Sequence, residues 1–260
     1  MSDSLRLVRF PLIGHAEASR WQAETASAVR DGGAETLALL QHTPVYTLGR
    51  NARRDNLLVD VETLQARGAG VVDADRGGDV TFHGPGQLVA YPILNLRNRG
   101  IGAVDYVRRL EAVVIETLSR FGLRGERVAG RPGVWVCGAE ALGAAAVQGG
   151  RRSSKVAAIG VRISGGVSTH GLALNIDPDL AWFDAIVPCG LADASVTSMA
   201  RELGYAPTIA AVEAAMIDAF ARVFGVAIAY DETSVGAVRE RPLHAPRPLA
   251  TPRRVVAHGG

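Results

Sequence analysis

The chain has 260 residues, 48% of them hydrophobic and 21% charged, and a formal net charge of +2. That length buries one large core or two small ones, and the composition is that of a soluble globular protein rather than a collagen, a disulfide scaffold or a disordered chain. The small charge gives no argument for nucleic acid, and no run of about eighteen apolar residues offers a membrane span. The two cysteines, Cys137 and Cys189, behind an N-terminus unlike a signal peptide predict a reducing, cytoplasmic setting.

In chain order, Leu5 to Leu12 reads as a first strand. Glu17 to Leu40, rich in alanine and glutamate, reads as one interrupted helix or two, broken near Gly32-Gly33. Pro44 to Leu48 predicts a strand, 51–56 a polar loop, and Asp60 a cap for a helix through Gln65. Val71 and Val72 open the strand that leads into RGGDVTFHGPGQLVAYP, Arg76 to Pro92. There Val80-Thr81-Phe82 and the segment from Leu88 flank a glycine-rich turn, which predicts a hairpin. Gly77 and Gly78 let a ligand or another backbone approach closely, and Arg76, His83 and Gln87 put polar groups around that permissive backbone. No Gly-Lys-Ser/Thr follows, so the stretch is not a phosphate loop.

Ala103 to Phe121 predicts a helix whose buried face is Ala103, Val107, Leu110, Val114, Leu118 and Phe121, stopped by Gly122. Gly133 to Cys137 reads as a strand, Ala141 to Ser154 as an exposed loop, and Lys155–Ile163 with Val167–Ile176 as a second hairpin across Gly165-Gly166. Trp182 to Ile186 predicts a short helix. Thr197 reads as the cap of a helix over Met199 to Leu203. A strong helix follows Pro207-Thr208 with Ile209, Val212, Met216, Phe220 and Val223 inward, ended by Gly225 before a last strand. Four prolines and five arginines mark 239–260 as a basic tail that builds no core and is expected to be disordered. A strand-rich middle with flanking helices predicts an α+β fold, in one domain over 1–238.

Cys189 stands between Pro188 and Gly190, where the following N–H is open to a developing oxyanion, although a buried small hydrophobe fits the same residues. Cys137, at the end of an apolar strand, reads as core or loop filler. Lys155 reads as a solvated strand end unless it lies beside Cys189, where its ammonium would favour the thiolate. His83 and His170, each followed by glycine, are either core histidines or hydrogen-bonding support. The spacing of these cysteines and histidines excludes a common metal motif.

Taken together, RGGDVTFHGPGQLVAYP at 76–92, KVAAIGVRIS at 155–164, THGLALNI at 169–176 and IVPCG at 186–190 resemble the lipoyl(octanoyl) transferase family. These are octanoyl-(acyl carrier protein):protein N-octanoyltransferases, and the resemblance runs from about Leu5 to Tyr230. It implies the biotin/lipoate protein ligase (BPL/LPL) type of α+β fold, a mixed sheet with packed helices. It implies an acyltransferase of protein lipoylation, needing neither cofactor nor metal, that moves octanoyl from octanoyl-acyl carrier protein. The acceptors would be lysines of apo lipoyl domains in 2-oxoacid dehydrogenase complexes and the glycine cleavage H protein. Matched residue by residue, the acyl-carrying cysteine falls on Cys189 and the lysine beside it on Lys155. The acyl-binding segments fall on Arg76, Gly77, Gly78, Asp79, Val80, Thr81, Phe82 and His83, on Ala158, Ile159 and Gly160, and on Gly171, Leu172 and Ala173. The loop Gln148 to Ser154 and the basic tail depart from the family pattern. Two other readings compete: an ATP-dependent lipoate or biotin ligase of the same fold, which needs no nucleophile at Cys189, and a non-catalytic lipoyl-domain binder.

Overall fold

A computed structural model describes residues 4–137, 153–187 and 195–230. The tail, most of the 141–154 loop and Pro188-Cys189-Gly190 lie outside the described residues, as does the side chain of Cys137. In chain order the elements are β1 (Ser4–Ile13), α1 (His15–Arg30), β2 (Thr36–His42), β3 (Val45–Leu48), a 3₁₀ turn (Arg54–Asn56), α2 (Val61–Ala66), β4 (Gly70–Asp73), β5 (Val80–His83), β6 (Gln87–Ile93) and α3 (Ala103–Ser119). They continue with β7 (Gly125–Val128), β8 (Arg131–Cys137), β9 (Ser153–Ser164), β10 (Val167–Asn175), a 3₁₀ helix (Leu180–Ala185), β11 (Ser195–Val196), α4 (Met199–Leu203), α5 (Ile209–Phe224) and β12 (Ala227–Tyr230).

The larger sheet is mixed, in the order β12-β1-β2-β6-β10-β9-β8-β7, with β11 alongside β9. Its β12-β1-β2 end is parallel, and the pairs from β2 to β7 are antiparallel. On one face α3 and α5 close the main core with Leu110, Val114, Val212, Met216 and Phe220. On the other face α1 covers a smaller cluster that includes Val89, Tyr91 and Ala173. A second sheet, β4-β3-β5, packs Tyr46 and Phe82 against Trp182 of the 3₁₀ helix. None of the described helices is long and apolar enough to cross a membrane.

Most element ends carry the expected chemistry. Asp60 caps α2 by accepting from Thr63 N, Thr208 caps α5 through Ala211 N, and Gly225 ends α5 at φ 64°. The β9-β10 hairpin turns on Gly165 and Gly166, both at positive φ.

Four expectations need correction. The helix read over Glu17 to Leu40 stops at Arg30, and Thr36–His42 is a strand between β1 and β6. A strand buried on both faces is a continuous apolar run, which local periodicity does not separate from a buried helix. The predicted hairpin across Gly84-Pro85-Gly86 does not form, because β5 pairs with β3 while β6 lies between β2 and β10. The turn is a crossing between two sheets, docked where Ile176 N and Asp177 N both donate to Gly86 O at 3.0 Å. A Cβ on Gly86 would stand 2.3 Å from Asp177 O, so only glycine allows that docking.

The inner face of α3 holds Leu110, Val114 and Leu118 as read, but it is wider and extends to Tyr106, Glu111, Val113 and Thr117, while Ala103 is exposed and Val107 and Phe121 are half-buried. Ser198, not Thr197, caps α4, and the Thr197 hydroxyl donates to Glu202 Oε1 at 2.5 Å. The strand β7 was not foreseen.

Candidate active site

The segments singled out in the sequence converge on one cleft with about 570 Å³ of empty space, part of it open to solvent. Its floor is β9 and β10, paired so that Ile159 faces Leu172 and Gly160 faces Gly171. Its wall is the run into β5, with Arg76, Gly78, Asp79, Val80, Thr81 and His83. Small residues make the floor possible. A Cβ on Gly171 would stand 2.1 Å from Ala90 O, and one on Gly160 would stand 2.9 Å from Gly77 O.

Lys155 lines the cleft and is 7% exposed. Its ammonium lies 5.4 Å from the centre of the Trp135 ring, within range of a cation–π attraction. Its carbonyl accepts from Thr197 N at 3.0 Å, and its backbone pairs with Val196 of β11. Cys189 lies outside the described residues, but both flanks of its segment are anchored at this cleft. Val187 N donates to Asn56 O at 2.8 Å, and Asn56 Nδ2 donates to Asp79 Oδ2 at 2.5 Å. On the other side β11 runs parallel to Ser154-Lys155.

Arg76 is buried and its guanidinium is taken up by backbone and hydroxyl oxygens: Thr47 O at 2.6 Å, Thr47 Oγ1 at 2.8 Å and Gly77 O at 3.0 Å. It therefore shapes the wall and sets the local field. His83 is held in one tautomer. Gln87 Nε2 donates to Phe82 O at 3.1 Å and to Asn175 Oδ1 at 3.0 Å, which turns Gln87 Oε1 toward His83 Nδ1 at 3.1 Å. An amide oxygen only accepts, so His83 carries its proton on Nδ1 and a lone pair on Nε2. Burial first, then the neighbouring His42 and Arg76 charges, hold His83 well below its usual pKa of 6.5, so that it is neutral at pH 7.

His170 sits at φ 58°, the only non-glycine at positive φ among the described residues. Gln22 Oε1 accepts its backbone N–H at 2.6 Å, and its Nε2 lies 2.6 Å from Asp75 Oδ1. Arg162 also pairs with Asp75 and offsets that carboxylate's charge. Burial, then Arg76 and Arg162, lower His170 to about 4, so the neutral ring donates Nε2–H to Asp75.

Two of the expected residues do not line the cleft. Gly77 backs onto β9, its N–H donating to Val161 O at 3.0 Å. Phe82 points into the small-sheet core, stacked on Trp182 with ring centres 5.2 Å apart. Four lining residues were missed: His15, Thr47, Val89 and Tyr91. Behind them His42 Nδ1 donates to Ile13 O at 3.0 Å and its Nε2 accepts from Tyr91 Oη at 2.7 Å. Histidines in TLALLQH and at the start of α1 were the available signal, but only the fold brings them together. Among the described residues no group of three or more His, Cys, Asp or Glu is placed to hold a metal.

Residues 15–221 match the lipoyl protein ligase A/B catalytic domain. The chain belongs to that family. Within the lipoyl protein ligase A/B family it is 53% identical over 193 residues to the octanoyltransferase of Chloroflexus aurantiacus, covering 74% of this chain and 81% of that protein. It is 45% identical over 232 residues to the octanoyltransferase of Acidobacterium capsulatum, covering 85% and 90%. In structure it resembles lipoate-protein ligase A bound with ATP, with a TM-score of 0.64 and 16% identity over 89% of each chain. It also resembles the bipartite lipoate protein ligase of Thermoplasma acidophilum, with a TM-score of 0.63 and 15% identity over 89% and 87%. At those identities the structural likeness establishes the shared α+β fold alone.

Proposed function

We propose that this protein transfers an octanoyl group from octanoyl-acyl carrier protein to a lysine of apo lipoyl domains, through a thioester on Cys189. The observation that carries the reading is the single cleft in which Lys155, the Arg76–His83 wall and the β9-β10 floor meet. The octanoyltransferases at 45–53% identity support the same reaction.

In the first step the Cys189 thiolate attacks the thioester carbonyl of the carrier-bound acyl group. The carbon–sulfur bond to the carrier breaks, and the carrier thiolate leaves and takes a proton. In the second step the amine of the target lysine attacks the new thioester. The Cys189–carbon bond breaks, the nitrogen loses a proton and an amide forms. An amide is more stable than a thioester, so the second step draws the sequence forward without ATP. Two easier steps replace one encounter between two proteins.

Lys155 supports the ionised sulfur by charge and exchanges protons with it. The Nε2 lone pair of His83 is a second acceptor for the amine's proton. The acyl chain lies against Ala158, Ile159, Leu172 and Ala173, each buried methylene worth about 0.8 kcal/mol. A reducing compartment such as the cytoplasm keeps Cys189 a thiol. Lipoyl domains of 2-oxoacid dehydrogenase complexes and the glycine cleavage H protein are the acceptors this chemistry fits.

The test is a reconstituted assay with octanoyl-carrier protein and an apo lipoyl domain. Acylation of the domain without nucleotide or metal is expected. Modification that requires ATP and free octanoate identifies a ligase instead.

A further inference from the structure

A second cavity with about 870 Å³ of empty space, part of it solvent, lies between α1 and β10, and it borders the acyl cleft through two shared side chains, His15 and His170. Lys155 stands toward one end of β9. From there to Gly160 the strand advances about 17 Å at about 3.3 Å per residue. Gly160 faces Gly171 and Val161 faces His170 across the hairpin, so His170 stands at the far end from Lys155. A chain anchored near Lys155 and laid along β9 therefore runs toward the His15 and His170 rings. Beyond them the space opens again, with Ala23, Ala26 and Val167 as its apolar side and Gln22, Arg30, Asp73 and Arg162 on its polar side.

We propose that His15 and His170 form the end stop of the acyl cleft and set the length of acyl group the enzyme accepts. The inference rests on the octanoyl-transfer reading above. Both rings are held from behind. His15 opens α1 beside His42, ring centres 5.7 Å apart, with Ser19 Oγ 3.5 Å from its Nδ1. The His170 ring is held by Asp75 at 2.6 Å, and its backbone N–H by Gln22 Oε1 at 2.6 Å. Burial lowers both to about 4, so they meet an apolar chain as neutral rings. An acyl group a few carbons too long has to displace a held ring or bend. Once the stop is shortened, the extra carbons enter the second cavity, where a methylene fully buried against Ala23, Ala26 or Val167 is worth at most about fourfold in affinity.

The experiment measures kcat/KM for octanoyl-, decanoyl-, dodecanoyl- and tetradecanoyl-carrier protein in the intact wild type, His15→Ala, His15→Phe and His170→Gly. Glycine at 170 suits the left-handed backbone there. The expected result is a dodecanoyl-to-octanoyl ratio raised about tenfold or more in His15→Ala and His170→Gly. His15→Phe, which restores bulk without a titrating ring, keeps the wild-type preference. A purely structural role lowers all four donors in proportion and leaves the ratio fixed. An unchanged ratio in both shortened variants, at melting temperatures showing them folded, overturns the end stop. A variant that does not fold leaves the decision to the other. A wild type that transfers none of the four groups removes the underlying reading and the end stop with it.

Discussion

The side chain of Lys155 passes directly over Gly133, so closely that a Cβ on Gly133 would lie 2.6 Å from Lys155 Cε and 2.4 Å from Ala157 O. Gly133 also stands at φ 117°, a backbone conformation that side chains rarely adopt. Its N–H donates to the buried carboxylate of Glu111 at 3.3 Å, which fixes the strand from behind. The course of the lysine across the cleft is thus set by a missing side chain one strand away.

Gly133→Ala is therefore expected to destabilise the fold by roughly 1–3 kcal/mol. At a temperature where the variant is still folded, it should lose transfer activity by roughly tenfold or more, about 1.4 kcal/mol of barrier. Calorimetry and single-turnover transfer check this. Wild-type rates in a folded variant would mean that the position of Lys155 does not depend on Gly133.

Much of this arrangement was legible in the sequence and some was not, for definable reasons. The β9-β10 hairpin and α5 carry local signals, glycine pairs in the turn and Thr208 with Gly225 at the helix ends. The parting of β5 from β6 carries none, because a glycine-rich turn between two apolar segments is written alike whether the strands pair or enter different sheets. The choice is made by Asp177 and Tyr46, far along the chain. The motif segments of the cleft could be read, but Phe82 could not be told from Thr81, since which face is inward depends on the partner sheet. His15, Thr47, Val89 and Tyr91 come from a helix start and two separate strands; only Val89 and Tyr91, two apart on β6, share a local spacing, and no spacing links that pair to the other two.

Gln87 is the residue that holds His83 in its Nδ1–H form. Gln87→Leu removes the acceptor at Nδ1 and leaves Phe82 O and Asn175 Oδ1 without their donor. A loss of roughly 1–3 kcal/mol in stability is expected, from unsatisfied buried groups. If His83 also takes the amine's proton, the rate of the second step falls further than octanoylation of the enzyme. Equal loss in both steps would confine Gln87 to the fold.

Acid should weaken the protein in a defined window. His15 and His170 titrate at about 4 in the folded chain, against an ordinary 6.5. Between those values the unfolded form binds more protons, so stability is fully present above about 6.5 and falls as pH drops toward about 4. The expected slope from the two groups is on the order of 1–2 kcal/mol per pH unit, allowing for screening at the partly exposed His15. Carboxylates titrate there too, so the comparison is with the double variant His15→Gln/His170→Asn. Its melting temperature should fall less steeply between pH 6.5 and 4.5; parallel curves would show that these histidines do not govern acid sensitivity.

Lys155→Arg keeps the charge but not the shape or the exchangeable proton, and a loss of roughly a hundredfold or more in transfer is expected. Lys155→Ala should move the midpoint of Cys189 alkylation upward, toward the ordinary thiol value of about 8.5, in a Cys137→Ala background. Identical midpoints with and without Lys155 would pass the tuning role to His83 or His170.

The most direct test is the mass of the enzyme after mixing with octanoyl-carrier protein, followed by peptide mapping. The account predicts one added octanoyl group on the wild type, mapped to Cys189, discharged on adding an apo lipoyl domain without ATP, and absent from Cys189→Ala. A full octanoyl mass gain on the Cys189→Ala protein, or an acyl group mapped to Cys137, would contradict it.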